Sequence, residues 1–176
     1  LPFANLQTDL ASYSEQFGMA ALNAVGFRGY DGAAFPALGD STKNIKLSSG
    51  SFAIPDVGGL GTAGTYNLNA LVFAVNANGQ TISFADNADT LNLTSGALLL
   101  SGNNFTRSFG GTPGNGRVTV GGTTSTGVVP LYLSSNYGNP TTFNSAIVDN
   151  GYGASTRLVF VANNTPTLQL ATSNSY

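Results

Sequence analysis

The chain of 176 residues carries a net charge of -2, only 8% of its residues are charged, and it contains no Cys, His or Trp. That length suits one domain able to bury roughly 70% of the surface its unfolded chain exposes, and the interleaving of aliphatic, aromatic and small polar residues excludes the apolar-poor mixture of a disordered chain. The missing Cys and His exclude disulfides, thiolate chemistry, the commonest zinc ligand and the commonest general base, while six basic residues scattered over the whole length argue against a nucleic-acid interface.

The N-terminal residues differ in period from everything after them. Leu6, Leu10, Tyr13, Phe17 and Ala21 recur at three to four residue spacing, with Asp9, Ser12 and Glu15 between them, which predicts an amphipathic helix of about four turns. Gly18 weakens that helix by roughly 1 kcal/mol. Gly26, Gly29 and Gly32 then punctuate GFRGYDGAAFP at 26–36, read as loop. The opening LPFANLQTDLASYSEQ has no basic start or sustained apolar stretch and is no signal peptide. The absence of an initiator Met suggests processing or a fragment; if the protein is exported, its signal is expected outside these residues. No run approaches the roughly 18 apolar residues of a membrane span.

From Lys43 the pattern changes to period two. Candidate strands follow at short intervals: NIKLSSGSFAI (44–54), ALVFAV (70–75), QTISFA (80–85), TLNL (90–93), ALLL (97–100), RVTV (117–120), VVPLYL (128–133), SAIV (145–148), RLVFV (157–161) and TLQL (167–170). Clusters of Gly, Asn, Ser and Pro between them supply turn chemistry. Alternation alone fits an antiparallel β-sandwich, a barrel or a β-solenoid. In DTLNLTSGALLLSG (89–102), Leu91 with Leu93 and Leu98 with Leu100 form two short apolar alternations around Thr94-Ser95-Gly96. Neither can bury its apolar side alone. An internal repeat favours the solenoid: LVFAVNANGQTISFA (71–85) aligns with LVFVANNTPTLQLA (158–171) if one residue is dropped, and TLNLTSG (90–96) echoes TLQLATS (167–173). Stacked coils produce such recurrence, each burying its inward residues on its neighbours.

The order of LNALVFA (68–74), GALLLSGNN (96–104), LYLSSN (131–136), SAIVDNGYG (145–153) and RLVFVANNTPTLQLATSNSY (157–176) resembles that in autotransporter-associated β-strand repeat proteins. The resemblance covers about residues 67 to 176. FVANNTP at 160–166 and Ala171 depart from the family's corner pattern, where glycines are usual. The resemblance implies a right-handed parallel β-helix in exported or surface proteins. Leu91, Leu93, Leu98 and Leu100 would then point into a shared interior, Thr94-Ser95-Gly96 would turn a corner, and Leu99 would face outward.

Four sets of residues carry the functional question. Gly59-Leu60-Gly61-Thr62-Ala63-Gly64 matches the G-x-G-x-x-G dinucleotide fingerprint, but the following YNLNALVFAV reads as strand and offers no helix N-terminus for a pyrophosphate. Asp86, Asp89 and Asp149 are the residues a carbohydrate-active β-helix enzyme would use as acid, base or calcium ligands; as Asp beside Asn and Gly, they equally suit corner turns. Asn76, Asn78, Asn87, Asn103, Asn104, Asn115, Asn163 and Asn164 sit at expected corners, where stacked amides form ladders or a polar binding strip. Tyr132, Tyr137 and Tyr152 fall in or beside turns and offer faces for sugar rings. The sequons at Asn92, Asn104 and Asn163 match chance in so Asn- and Thr-rich a chain.

Together these observations predict an all-β β-solenoid with a short N-terminal helix: residues 1–42 as helix and Gly-rich loop, a candidate cap, and 43–176 as coils open at the C-terminal end around 167–170. The expected role is structural or adhesive, without catalysis, cofactor or metal, in a secreted or surface-displayed protein. Expected partners are adjacent repeats, a second copy stacked end to end, or surface glycans. A polysaccharide lyase or hydrolase and a self-assembling fibre subunit are the alternatives.

Overall fold

A computed structural model of the chain describes residues 5–6, 9–102, 104–123, 126–136, 140–163 and 166–176. These residues form an all-β structure whose main body is a β-solenoid of about four turns. Three short strands come first: β1 (Asn5–Leu6), β2 (Asp9–Ser14) and β3 (Gly18–Ala21), paired as an antiparallel meander. The coils follow as β4 (Asp40–Ser48) and β5 (Phe52–Ile54), β6 (Thr65–Val75) and β7 (Gln80–Phe84), and β8 (Thr90–Gly102) and β9 (Arg107–Phe109). After these come β10 (Arg117–Val120), β11 (Gly127–Asn136) and β12 (Thr141–Phe143), then β13 (Ala146–Ile147), β14 (Ala154–Asn163) and β15 (Leu168–Leu170).

Every pairing among β4 to β15 is parallel, which excludes the antiparallel sandwich. Each coil wraps three faces. The first half of β8 (90–93) pairs with β10 and its second half (97–100) with β11, so one 13-residue strand spans two faces and bends between them. Gly96 makes the bend. Its φ of 71° lies in the left-handed region, and a Cβ there would stand 2.2 Å from the Pro130 carbonyl oxygen, so only glycine lets the neighbouring coil approach. The third face is the five-stranded order β15-β12-β9-β7-β5.

Inward residues stack in ladders, one rung per coil. Tyr66, Leu91, Val118 and Ile147 form one; Ile45, Leu71, Leu98, Leu133 and Phe160 another; Phe52, Ile82, Phe109, Phe143 and Leu170 the third. The Phe109 and Phe143 rings lie 4.9 Å apart and nearly parallel. The predicted interior residues Leu91, Leu93, Leu98 and Leu100 all belong to this core, and neighbouring coils supply the surface each alternation lacks alone.

The repeat in the sequence is related to the true register by a slip. In the structure Leu71 leads through Leu98 and Leu133 to Phe160, while Leu158 stands beside Leu131, so the Leu-Val-Phe segments at 71 and 158 are two residues out of step. A two-residue slip keeps every side chain on its own side of the strand, which is why the similarity survives it. The echo of TLNLTSG in TLQLATS is not a positional repeat, because 90–93 lie on the first face and 168–170 on the third. Coil lengths are also unequal: Tyr66 to Leu91 is a step of 25 residues and Leu98 to Leu133 one of 35.

The N-terminal helix expected over Leu6 to Ala21 is not formed. Among the described residues no helix occurs, and this segment is the β1–β3 meander. The three-to-four residue spacing that suggested a helix mixes two environments: Leu10 is 4% exposed, whereas Tyr13 and Phe17 are 61% and 55% exposed. Gly18, at φ 72°, closes the turn after residues 15–17 and pairs Tyr13 with Met19 across the strands. Tertiary contact selects the strands. Leu10 packs with Ala70, Val72, Ala97 and Leu99, the outward residues of β6 and β8, which offer a flat surface of small and aliphatic side chains. The meander thus lies against the side of the solenoid. Leu99 faces outward as expected, and it is fully covered there.

The first coil is closed instead by the loop after the meander. Gly32 bridges Ile45 in parallel, the Lys46 amide donates to the Gly32 carbonyl at 3.0 Å, and the Phe35 ring packs edge-on against Tyr66 at 5.8 Å. Tyr66 Oη donates to the Pro36 carbonyl at 2.5 Å, and burial raises its phenol to about 12.

Candidate functional site

The G-x-G-x-x-G segment and the two neighbouring aspartates prove to be parts of one corner. β7 ends at Phe84, the chain turns through residues 85–89, and β8 begins at Thr90. At that turn Asp86 Oδ1 accepts the Ala88 amide at 2.8 Å, and its Oδ2 accepts the amide of Gly61 from the coil before. Asp89, fully buried, accepts the Gly64 amide at 2.8 Å and the Val57 amide at 3.3 Å. Two amides of the glycine loop, which in a dinucleotide site would face a phosphate, are thus directed at the chain's own carboxylates. A third carboxylate, Asp56, accepts from Gly58 and Gly59 at 3.0 and 2.7 Å. The amides of Ala88 and Gly61 hold the Asp86 carboxyl below the usual carboxylate range.

Asp149 lies elsewhere. It follows β13, on the first face two coils beyond β8, is exposed, and accepts the Thr156 amide at 2.8 Å. The topology brings Asp86 and Asp89 to one corner and puts Asp149 at another, so the three do not converge on one site. Among the described residues, no three Asp, Glu, His or Cys come together as a metal site, and no helix is long and apolar enough to cross a membrane.

The asparagines act mainly as corner fasteners. Asn115, 8% exposed, accepts the Phe84 and Gly111 amides at 2.8 Å each and donates to the Phe84 carbonyl and to Asn87 Oδ1. Asn76 exchanges hydrogen bonds with Gln80, and Asn78 Oδ1 accepts the Thr106 amide of the next coil. Asn104 is exposed. Asn103 and Asn164 lie outside the described residues, as does the Asn163 side chain. The amide rungs that join successive coils include pairs that corner spacing did not single out: Asn69 to Asn44 at 2.7 Å and Asn92 to Asn67 at 2.9 Å. These residues sit within or beside strands, where a turn-based search does not look. Asn92 is 2% exposed, so its sequon is buried.

Of the tyrosines, Tyr152 is 58% exposed in the loop before β14 and Tyr132 is half-buried on β11, while Tyr137 lies outside the described residues. Tyr13, Phe17 and Met19 of the meander are exposed, and Tyr13 and Met19 are paired across β2 and β3. No protein-family model matches the chain, nor does any curated protein or solved structure.

Proposed function

We propose that the chain is a non-catalytic structural or adhesive module of a secreted or surface-displayed protein, as its resemblance to autotransporter-associated repeats implies. The observation that carries this reading is the engagement of the acidic side chains. Asp86 and Asp89, two of the three aspartates an enzyme would use, each accept two backbone amides and hold adjacent coils in register. Both carboxylates thus serve as fixed backbone acceptors, and Asp86, whose proton affinity is lowered by its two amides, is poorly suited to deliver a proton at neutral pH. Low charge and Asn- and Thr-rich corners suit an extracellular surface.

Partners follow from the same architecture. β14 pairs with β11 along its whole length and, among the described residues, with no strand on its other edge, and Leu158 and Phe160 beside that edge are half-buried against the core. An adjacent repeat of a longer protein, or a second copy, would complete the ladders there.

The test is turnover. Wild-type chain and the D86N, D89N and D149N variants are incubated with acidic and neutral polysaccharides, and new reducing ends and unsaturated products are measured. No turnover is expected from any of the four proteins. Cleavage by the wild type that is lost in one variant would establish the enzyme instead.

A further inference from the structure

Between the meander and the solenoid wall lies a cavity of about 220 Å³. It is built at the corner where the first face meets the second. Asn44, Asn69 and Ser95 occupy that corner in three successive coils, and Ser95 Oγ donates to the Asn69 carbonyl at 2.6 Å. Ala70 and Ala97 contribute short side chains to the wall, which leaves room between it and β2. The meander side supplies Ser12, and the loop after it Arg28. Arg28 is held through Nη2 by the Thr42 carbonyl at 2.7 Å and by Asp31 at 3.4 Å.

Asn44 singles out this cavity. The residue is 4% exposed, and its Oδ1 accepts from Asn69 Nδ2 at 2.7 Å. Among the described residues nothing accepts from its own Nδ2, and nothing donates to Asn69 Oδ1. An amide donor and an amide acceptor without protein partners on a cavity wall are together complementary to a group that both accepts and donates, such as a hydroxyl. Neighbouring hydroxyls on Ser12 and Ser95 extend the same chemistry. Among the described residues no carboxylate lines the cavity, and Arg28 is its one cation.

We propose that this cavity binds a single acidic sugar ring, a hexuronate unit of a surface polysaccharide, with ring hydroxyls on Asn44, Asn69 and Ser95 and the carboxylate toward Arg28. The volume falls below the roughly 300–1,000 Å³ of sites for drug-sized ligands, which limits the occupant to one ring. Ala70 and Ala97 give it an apolar wall. Because one side of the cavity belongs to β2 and the other to the solenoid, the ligand bridges two elements joined otherwise by Leu10 and its neighbours and by the Lys46 to Asp9 ion pair at 2.5 Å. Binding therefore protects the meander against opening.

The choice of ligand rests on the adhesive reading above, and the experiment separates the two. The full chain, labelled with ¹⁵N, is titrated with D-glucuronate and, separately, with D-glucose, and its retention on an immobilised polyuronate is measured in parallel. Saturable shifts at the Asn44 and Asn69 side-chain amides are expected with glucuronate, with slower hydrogen exchange over 9–14. N44D, which replaces a donor by an acceptor, and A97L, which fills the cavity, should each weaken binding about tenfold or more. R28Q should narrow the preference for glucuronate over glucose. Far-ultraviolet circular dichroism verifies folding; should A97L unfold, the isosteric N44D alone decides. Shifts absent with glucuronate, or unchanged in N44D, overturn the site, and equal binding of glucose overturns the acidic class. Retention on polyuronate that N44D leaves intact keeps the adhesive reading and refutes this cavity. Titration of the cavity without retention does the reverse.

Discussion

Replacing Leu98 and Leu99 by Ala, one at a time, probes the two sides of a single strand. Leu98 sits in the interior ladder between Leu71 and Leu133, and Leu99 lies on the outer surface of β8 under Leu10; both are fully buried. A free-standing solenoid would lose several kcal/mol with Leu98→Ala and little with Leu99→Ala. Leu-to-Ala truncations in cores cost about 2–5 kcal/mol, depending on how far the site can collapse. Leu98 is fixed by coils on both sides, so about 3–4 kcal/mol is expected. Leu99 is covered by a meander that can settle onto the sheet, so about 2–3 kcal/mol is expected. Leu10→Ala, in the same cluster as Leu99, should couple to Leu99→Ala by about 1 kcal/mol and add independently to Leu98→Ala. Urea unfolding followed by circular dichroism supplies the four corners of each cycle. A cost below about 1 kcal/mol for Leu99→Ala, or coupling of Leu10 to Leu98 in its place, would refute the packing of the meander on the outer wall.

Two further outcomes follow from the corners and from the open edge. Asp86 is held below the ordinary carboxylate range by the Ala88 and Gly61 amides; Asp31, which burial alone would raise, is brought below it by the Asn44 amide and by Arg28 and Lys43. Their contribution to stability is complete above the unfolded value of about 4 and is lost as pH falls through the lower folded values; Tyr66, raised by burial to about 12, adds an alkaline decline from about pH 10 upward. Thermal unfolding against pH should be flat near neutrality, with an acid limb made shallower by Asp86→Asn; an unchanged limb would remove Asp86 from the account. Light scattering over a concentration series should show association that lysines at Val159 and Val161 on β14 suppress, and a chain monomeric at all concentrations would rule out stacking at that edge.

Much of the interior was legible from local pattern. In residues 89–102 the alternation of leucines around Thr94-Ser95-Gly96 specifies which side chains turn inward and where the strand bends, because the strand period is two and Gly96 alone tolerates its conformation there. The same local signal could not assign partners. Which leucine lies over which depends on coil lengths that range from 25 to 35 residues between rungs, and a slip of two residues leaves the pattern unchanged.

The candidate residues divide in the same way. That Asp86 and Asp89 suit a corner follows from Asn87 between them, but that they receive the amides of Gly61 and Gly64 is decided by coil stacking across 25 residues. The meander is the clearest case. Leu10, Tyr13 and Phe17 keep a helical spacing in the chain, yet only Leu10 of the three finds a buried place, because the surface awaiting it is the flat outer side of β6 and β8. By itself, the sequence determined the period of each segment and the chemistry of its corners. Only the tertiary structure decided that the outward residues Val72 and Leu99 would be covered, and that a buried amide at Asn44 would face a cavity, since burial on the outside of a strand depends on a segment some 60 to 90 residues distant in the chain, as Leu10 is from Val72 and Leu99.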